Sequence, residues 1–249
     1  MSLRMPIFFA LVLSVSLPGC GGAVSVRRPS MKPLTLLMKD RARVSEEDVA
    51  RSEFAAANSR LAEERGDVDS AKEMYHEAVR INPRNSNAFW RLALLHIRQN
   101  EFDAATAAFE KAVEADAQNP ALCSDFGYHL YLAGDLERAE YYLRNTVRLS
   151  PSDKRACNNL GLVLAARGKD DESLAAFLDA GCSEAEARSN LAIAQLLRLD
   201  SSTAAESLKA SLSLDPTNPR AISAMQQLAS FEEQTRPTDV IESGYATTQ

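Results

Sequence analysis

The chain has 249 residues, 28 Lys+Arg against 34 Asp+Glu for a net charge of −6, and is 45% apolar and 25% charged. That balance belongs to a globular chain. It excludes collagen, a disulfide mini-protein and a wholly disordered chain, and it offers no net basic excess for nucleic acid.

Residues 1–19 read as an export signal. Arg4 supplies the positive start, and the run from Ile7 to Leu17 is broken only by Ser14 and Ser16 and carries no charge. That run is about half the ~20 residues a helix needs to span a bilayer. Leu17-Pro18-Gly19-Cys20 follows and resembles a bacterial lipobox. The resemblance implies cleavage before Cys20 and lipid on that residue, where several acyl chains together hold a protein on a membrane. Gly21, in place of an Asp, leans towards the outer membrane, facing the periplasm. Residues 20–44 then form a basic flexible tether: Arg27, Arg28, Lys32, Lys39, Arg41 and Arg43 stand against a single acid, Asp40. Such a stretch either lies on anionic headgroups or is a solvated linker.

Beyond the tether the chain reads as helical. Between residues 34 and 215 only Pro83, Pro120 and Pro151 interrupt it, too few breakers for a sandwich with a turn every ~8–12 residues. Ser45 with Asp48 caps a first helix running to Arg65. Gly66, Asn100, Gly134 and Gly168 then stand 34 apart. Gly and Asn enter the left-handed region cheaply, so a helix ends at each. Acids follow at once (Asp67, Glu101, Asp135, Asp170) and favour the first turn of the next helix. Small residues come five after each turn (Ala71, Ala105, Ala139, Ser173). Tyr75, Phe109, Leu143 and Phe177 come four later, then Ala78, Ala112, Thr146 and Ala180 three beyond, all on one helix face. The preceding helices carry their own small position at Ser59, Ala93, Gly127 and Gly161.

A helix–turn–helix unit with a 34-residue period resembles the tetratricopeptide repeat. The resemblance covers roughly 52–233 and implies an all-α solenoid (residues 45–233) of repeats 52–85, 86–119, 120–153, 154–184 and 185–218, closed by a capping helix over 219–233. The fifth unit begins three residues early. Gly181 ends the shortened fourth, Leu199 replaces the turn glycine, and Ser183 with Glu186 forms a capping box. Residues 234–249 read as a disordered tail.

Little in the sequence is catalytic. None of His76, His96 and His129 lies within four residues of another His or a Cys, so no metal-ligand pair shares a helix face. Cys123, Cys157 and Cys182 read as small buried residues. There is no phosphate loop and no nucleophile elbow, so neither an enzyme nor a metal, cofactor or small-molecule substrate is expected. In tetratricopeptide arrays the first helix of each unit lines the concave side. Transferring that to this chain places a protein or peptide partner against Trp90, Arg91, Leu94 and Arg98; Ser124, Asp125, Tyr128 and Tyr131; Arg155, Asn158, Asn159 and Leu162; and Ser189, Asn190 and Ile193. Trp and Tyr offer large contact area, Arg pairs with carboxylates, and Asn can bond both groups of a peptide backbone. The layout resembles tetratricopeptide lipoproteins of pilus assembly and so implies a lipid-anchored scaffold. The runner-up is an envelope-maintenance adaptor that recruits peptidoglycan enzymes or proteases; a hydrolase is third.

Overall fold

The computed structural model describes residues 44–235. The export signal, Cys20, the tether up to residue 43 and the tail from 236 lie outside the described residues. Within them the chain is helical, with no strand: α1 (Glu46–Glu64), α2 (Val68–Ile81), α3 (Ser86–Arg98), α4 (Phe102–Ala115), α5 (Pro120–Leu132), α6 (Leu136–Leu149), α7 (Lys154–Ala166), α8 (Asp170–Asp179), α9 (Glu184–Leu197), α10 (Ser201–Leu214) and α11 (Pro219–Thr235). Among the described residues no helix is long and apolar enough to cross a membrane.

Each odd helix from α1 to α9 packs on the even helix after it, each pair packs on the next, and α11 closes the array against α9 and α10. Gly66, Gly134 and Gly168 have φ of 79°, 80° and 76°, and Asn100 has 61°. The following residue's N–H reaches back five positions to close the turn, as from Asp67 to the Ala62 carbonyl at 3.0 Å and from Asp135 to that of Leu130 at 2.9 Å. The acids after the turns do more than meet a helix dipole. Asp67, Asp135 and Asp200 are N-caps, accepting from the N–H of Ser70, Arg138 and Thr203. Ser183 and Glu186 form the reciprocal capping box.

Leu199 has φ 63° and is 88% exposed. A leucine there sacrifices about 1 kcal/mol of backbone preference and gains no packing in return. Leu199→Gly is expected to raise stability by about 1 kcal/mol, read as a higher midpoint in urea. An unchanged midpoint would show that this turn carries no strain.

The small and large positions interlock. Ala71, Ala105, Ala139, Ser173 and Ala204 are fully buried, as are Tyr75, Phe109, Leu143, Phe177 and Leu208. Ala180, expected in the same buried row, is instead half-exposed, because α8 stops at Asp179 and leaves it as the C-cap. A Cβ on Gly127 would lie 2.7 Å from Leu143 Cγ, and one on Gly161 would lie 2.7 Å from Phe177 Cε1. Both glycines are therefore close contacts between paired helices. Ser and Thr hydroxyls tie a second helix to a first: Ser52 Oγ donates to the Ala78 carbonyl at 2.8 Å, Ser86 to Ala112 at 3.0 Å and Ser211 to Ala185 at 2.6 Å.

Ion pairs cross between successive units. Lys72 meets Glu101 at 2.7 Å, Arg138 meets Glu110 at 2.6 Å and Arg198 meets Asp170 at 2.7 Å. Glu140 is buried and takes Arg144, Arg167 and Lys169. Burial works against its charge, yet hydrogen bonds from Lys169 and Arg144 hold its carboxyl below the usual range. The core divides into three clusters. The first runs from Ala62 to Ala176, the second from Ala165 to Ala194 and the third from Ala192 to Ala224.

Candidate functional site

Odd helices α5, α7 and α9 each touch the next odd helix as well as their own partner. The first helices therefore stand side by side and present one shared face. Along it runs an apolar row at equivalent positions, Leu94, Tyr128, Leu162 and Ile193, spaced 34, 34 and 31. Tyr128 is 39% exposed and Ile193 38%, while Leu94 and Leu162 are half-buried. The Tyr128 and Tyr131 rings lie 6.1 Å apart, with Tyr131 half-buried. Leu132 and Leu197, both exposed, are equivalent positions four residues beyond Tyr128 and Ile193.

The polar residues of this face differ in what they have left to offer. Trp90 Nε1 donates to Asp125 Oδ2 at 3.0 Å, and Arg155 Nη1 meets Asp125 Oδ1 at 3.0 Å. One carboxylate thus links α3, α5 and α7. Burial raises its pKa, while Arg155 and Trp90 pull it down. The Arg91 guanidinium forks onto Glu63. Beside that pair the Tyr75 hydroxyl is buried, and its pKa is raised by burial and by Glu63. Asn190 accepts from Arg220 Nη1 at 2.8 Å. Asn158 and Asn159 are half-buried and make no side-chain hydrogen bond among the described residues. Arg98 is exposed.

Two residues expected on this face are not there. Ser124 and Ser189 are fully buried, small enough to sit between neighbouring helices, and Ser189 Oγ turns back to the Glu186 carbonyl at 2.8 Å. Cys123 and Cys157 are buried and free, and burial pushes the Cys123 thiol up to about 11. Cys182 is half-exposed rather than buried, because it follows the Gly181 turn instead of lying within a helix.

A second cleft was not legible in the sequence. His76 on α2 and His96 on α3 approach edge to face, with ring centroids 6.3 Å apart. Lys72, Glu101, Phe102 and Asp103 complete a cleft of about 650 Å³. His96 Nδ1 and Lys72 Nζ both reach Glu101 Oε2, at 2.5 and 2.7 Å. Burial, then His96 and Lys72, lower the His76 pKa. The pair lies 20 residues apart in the chain, where only the 34-residue superposition of units could have brought it to notice. Among the described residues no group of three or more His, Cys, Asp or Glu is arranged to hold a metal ion.

Comparison with known proteins gives this arrangement its family. The chain is 31% identical over 122 residues to the cytochrome c-type biogenesis protein CycH of Rhizobium meliloti, covering 48% of this chain and 32% of that protein. It is 29% identical over 102 residues to the type IV pilus assembly protein PilF of Pseudomonas aeruginosa, covering 40% of each. The chain thus spans less than half the length of either relative. Among solved structures, YrrB, described as a tetratricopeptide protein with an unusual peptide-binding site, superposes with a TM-score of 0.58 at 22% identity, over 69% of this chain and 90% of its own. The Pseudomonas aeruginosa PilF structure gives 0.52 at 20% identity, over 76% and 87%. The tetratricopeptide repeat model matches residues 54–120 and 125–183. With its paired helices, left-handed turns and 34-residue register, the chain belongs to the tetratricopeptide repeat family.

Proposed function

We propose that this chain is a non-catalytic scaffold that holds a segment of a partner protein against the face of its first helices. The observation that carries this is the apolar row Leu94, Tyr128, Leu162 and Ile193, beside which Asn158 and Asn159 make no side-chain hydrogen bond among the described residues. An apolar strip beside such amides suits a peptide, which offers side chains to the one and backbone groups to the other. Trp90, Arg91 and Arg155 set the spacing of the helices through Asp125 and Glu63 and contribute their outer surfaces.

In this reading the scaffold is held at the cell envelope by lipid on Cys20, on the periplasmic side of the outer membrane. The setting we favour is pilus assembly, on the strength of the short apolar run closed by a small-residue cysteine box and the likeness to PilF. Cys20→Ser is expected to abolish labelled-palmitate uptake and to move the chain to the soluble fraction. A wild type that takes up no label would overturn the anchor.

The groove is tested by crosslinking in cells with mass spectrometry of what is captured. Tyr128→Ala with Ile193→Ala removes exposed side chains and is expected to reduce capture about tenfold, the scale of one interface hot spot, with an unchanged melting profile. Undiminished capture would place the partner elsewhere.

A further inference from the structure

In every unit after the first, two positions of the first helix are buried. Ala88, Leu122, Ala156 and Ala187 are all 0% exposed, and Leu95, His129, Val163 and Ala194 are at most 4%. His129 shows what covers them: its ring lies 5.4 Å from that of Phe109 and 6.5 Å from that of Phe102, and its Nε2 is 2.8 Å from Thr106 Oγ1. All three partners belong to α4, the second helix of the preceding unit. The equivalent residues of α1 are Phe54 and Leu61, which are 71% and 49% exposed. They stand seven residues apart on one face of α1, and beside them a cleft of about 460 Å³ is lined by Glu47, Ala50, Arg51, Phe54, Ala55 and Ile81. The first unit therefore carries the docking stripe of an internal repeat with no described neighbour to fill it.

We propose that residues 34–38 of this same chain cover that stripe, in the place a preceding second helix takes in the later units. Three observations select this occupant. It comes just before α1 in the chain, as α4 comes just before α5. Leu34, Leu36, Leu37 and Met38 supply apolar side chains. Only six residues separate Met38 from Ser45, the N-cap of α1, a span of roughly 20 Å when extended, while the cleft begins within the first turn at Glu47. Charge agrees as well: Lys39, Arg41 and Arg43 follow the apolar residues, and Glu46, Glu47 and Asp48 form the first turn of α1.

Hydrogen exchange on the full chain tests this. In the unaltered protein the amides of residues 34–38 are expected to exchange at least tenfold more slowly than in a free peptide of that sequence. Leu36→Asp with Leu37→Asp should release protection in residues 50–61, and Phe54→Asp should release it in residues 34–38, with helicity kept in both. Free-peptide exchange of residues 34–38 in the unaltered chain would overturn the proposal whatever the variants do. So would protection of residues 50–61 that rises with protein concentration alongside a doubled mass by light scattering, since a second copy would then be the cover.

Discussion

Phe126→Ala is expected to lower the stability of the array by about 3–5 kcal/mol, the range for truncating a fully buried aromatic. Phe126 is 0% exposed and lies in the middle unit. Its ring stacks on Phe109 at 5.2 Å and meets Tyr142 at 4.7 Å, and Arg138 lies over it with Cζ 5.5 Å from the centroid. The residue joins α5 to α4 before it and α6 after it, so the vacancy is shared between two units. In a repeat array each unit depends on its neighbours. The loss should therefore appear as a lower urea midpoint and as a transition that broadens or splits, because the two ends lose the unit that couples them. Circular dichroism at several denaturant concentrations reads both. A loss under 1 kcal/mol would show that the aromatic stack is redundant.

Gly161→Val is expected to cost about 3 kcal/mol, the upper part of the usual range for overpacking. A Cβ at this position would stand 2.7 Å from Phe177 Cε1 and 2.8 Å from Cδ1, and Phe177 is itself fully buried. The ring has nowhere to swing without opening α7 from α8. The same close approach lets Ser173 Oγ donate to the Gly161 carbonyl at 2.8 Å, a bond that separation would break. Helix propensity alone predicts the opposite sign, since glycine within a helix is about 1 kcal/mol worse than alanine. A stabilised Gly161→Ala would therefore show that propensity outweighs the contact, while a destabilised one would show that the contact dominates.

The fold was legible because the array repeats one local problem. A helix must end, turn through the left-handed region and begin again, and Gly or Asn at a fixed spacing marks each event. Leu199 shows that the mark can be lost while the turn survives: the Asp200 N–H still bonds to the Gln195 carbonyl at 3.0 Å, and Asp200 still caps α10. The candidate site was legible only in part. Position along a helix tells which residues share a face, and it brought Tyr128, Leu162 and Ile193 together. It does not tell how far each neighbour intrudes, so Ser124 and Ser189 were placed on a surface that adjoining helices cover. Nor does it tell which polar groups are already spoken for. That Trp90 and Arg155 both hold Asp125 depends on three helices separated by about one repeat each. The meeting of His76 with His96 likewise arises only once α2 and α3 are stacked.

The division of the core has a mechanical consequence. α8 is 10 residues long where α2, α4, α6 and α10 are 14, and the largest apolar cluster gives way to a smaller one across α7 and α8. Resistance to bending in a stacked rod comes from side chains that must be displaced together, so it is lowest where the stack is thinnest. A load applied between the two ends would therefore flex the rod near Gly181, with repeats one to three moving as a stiff arm and α9 to α11 as a shorter one. A partner lying across Leu162 and Ile193 would span that compliant joint and splint it.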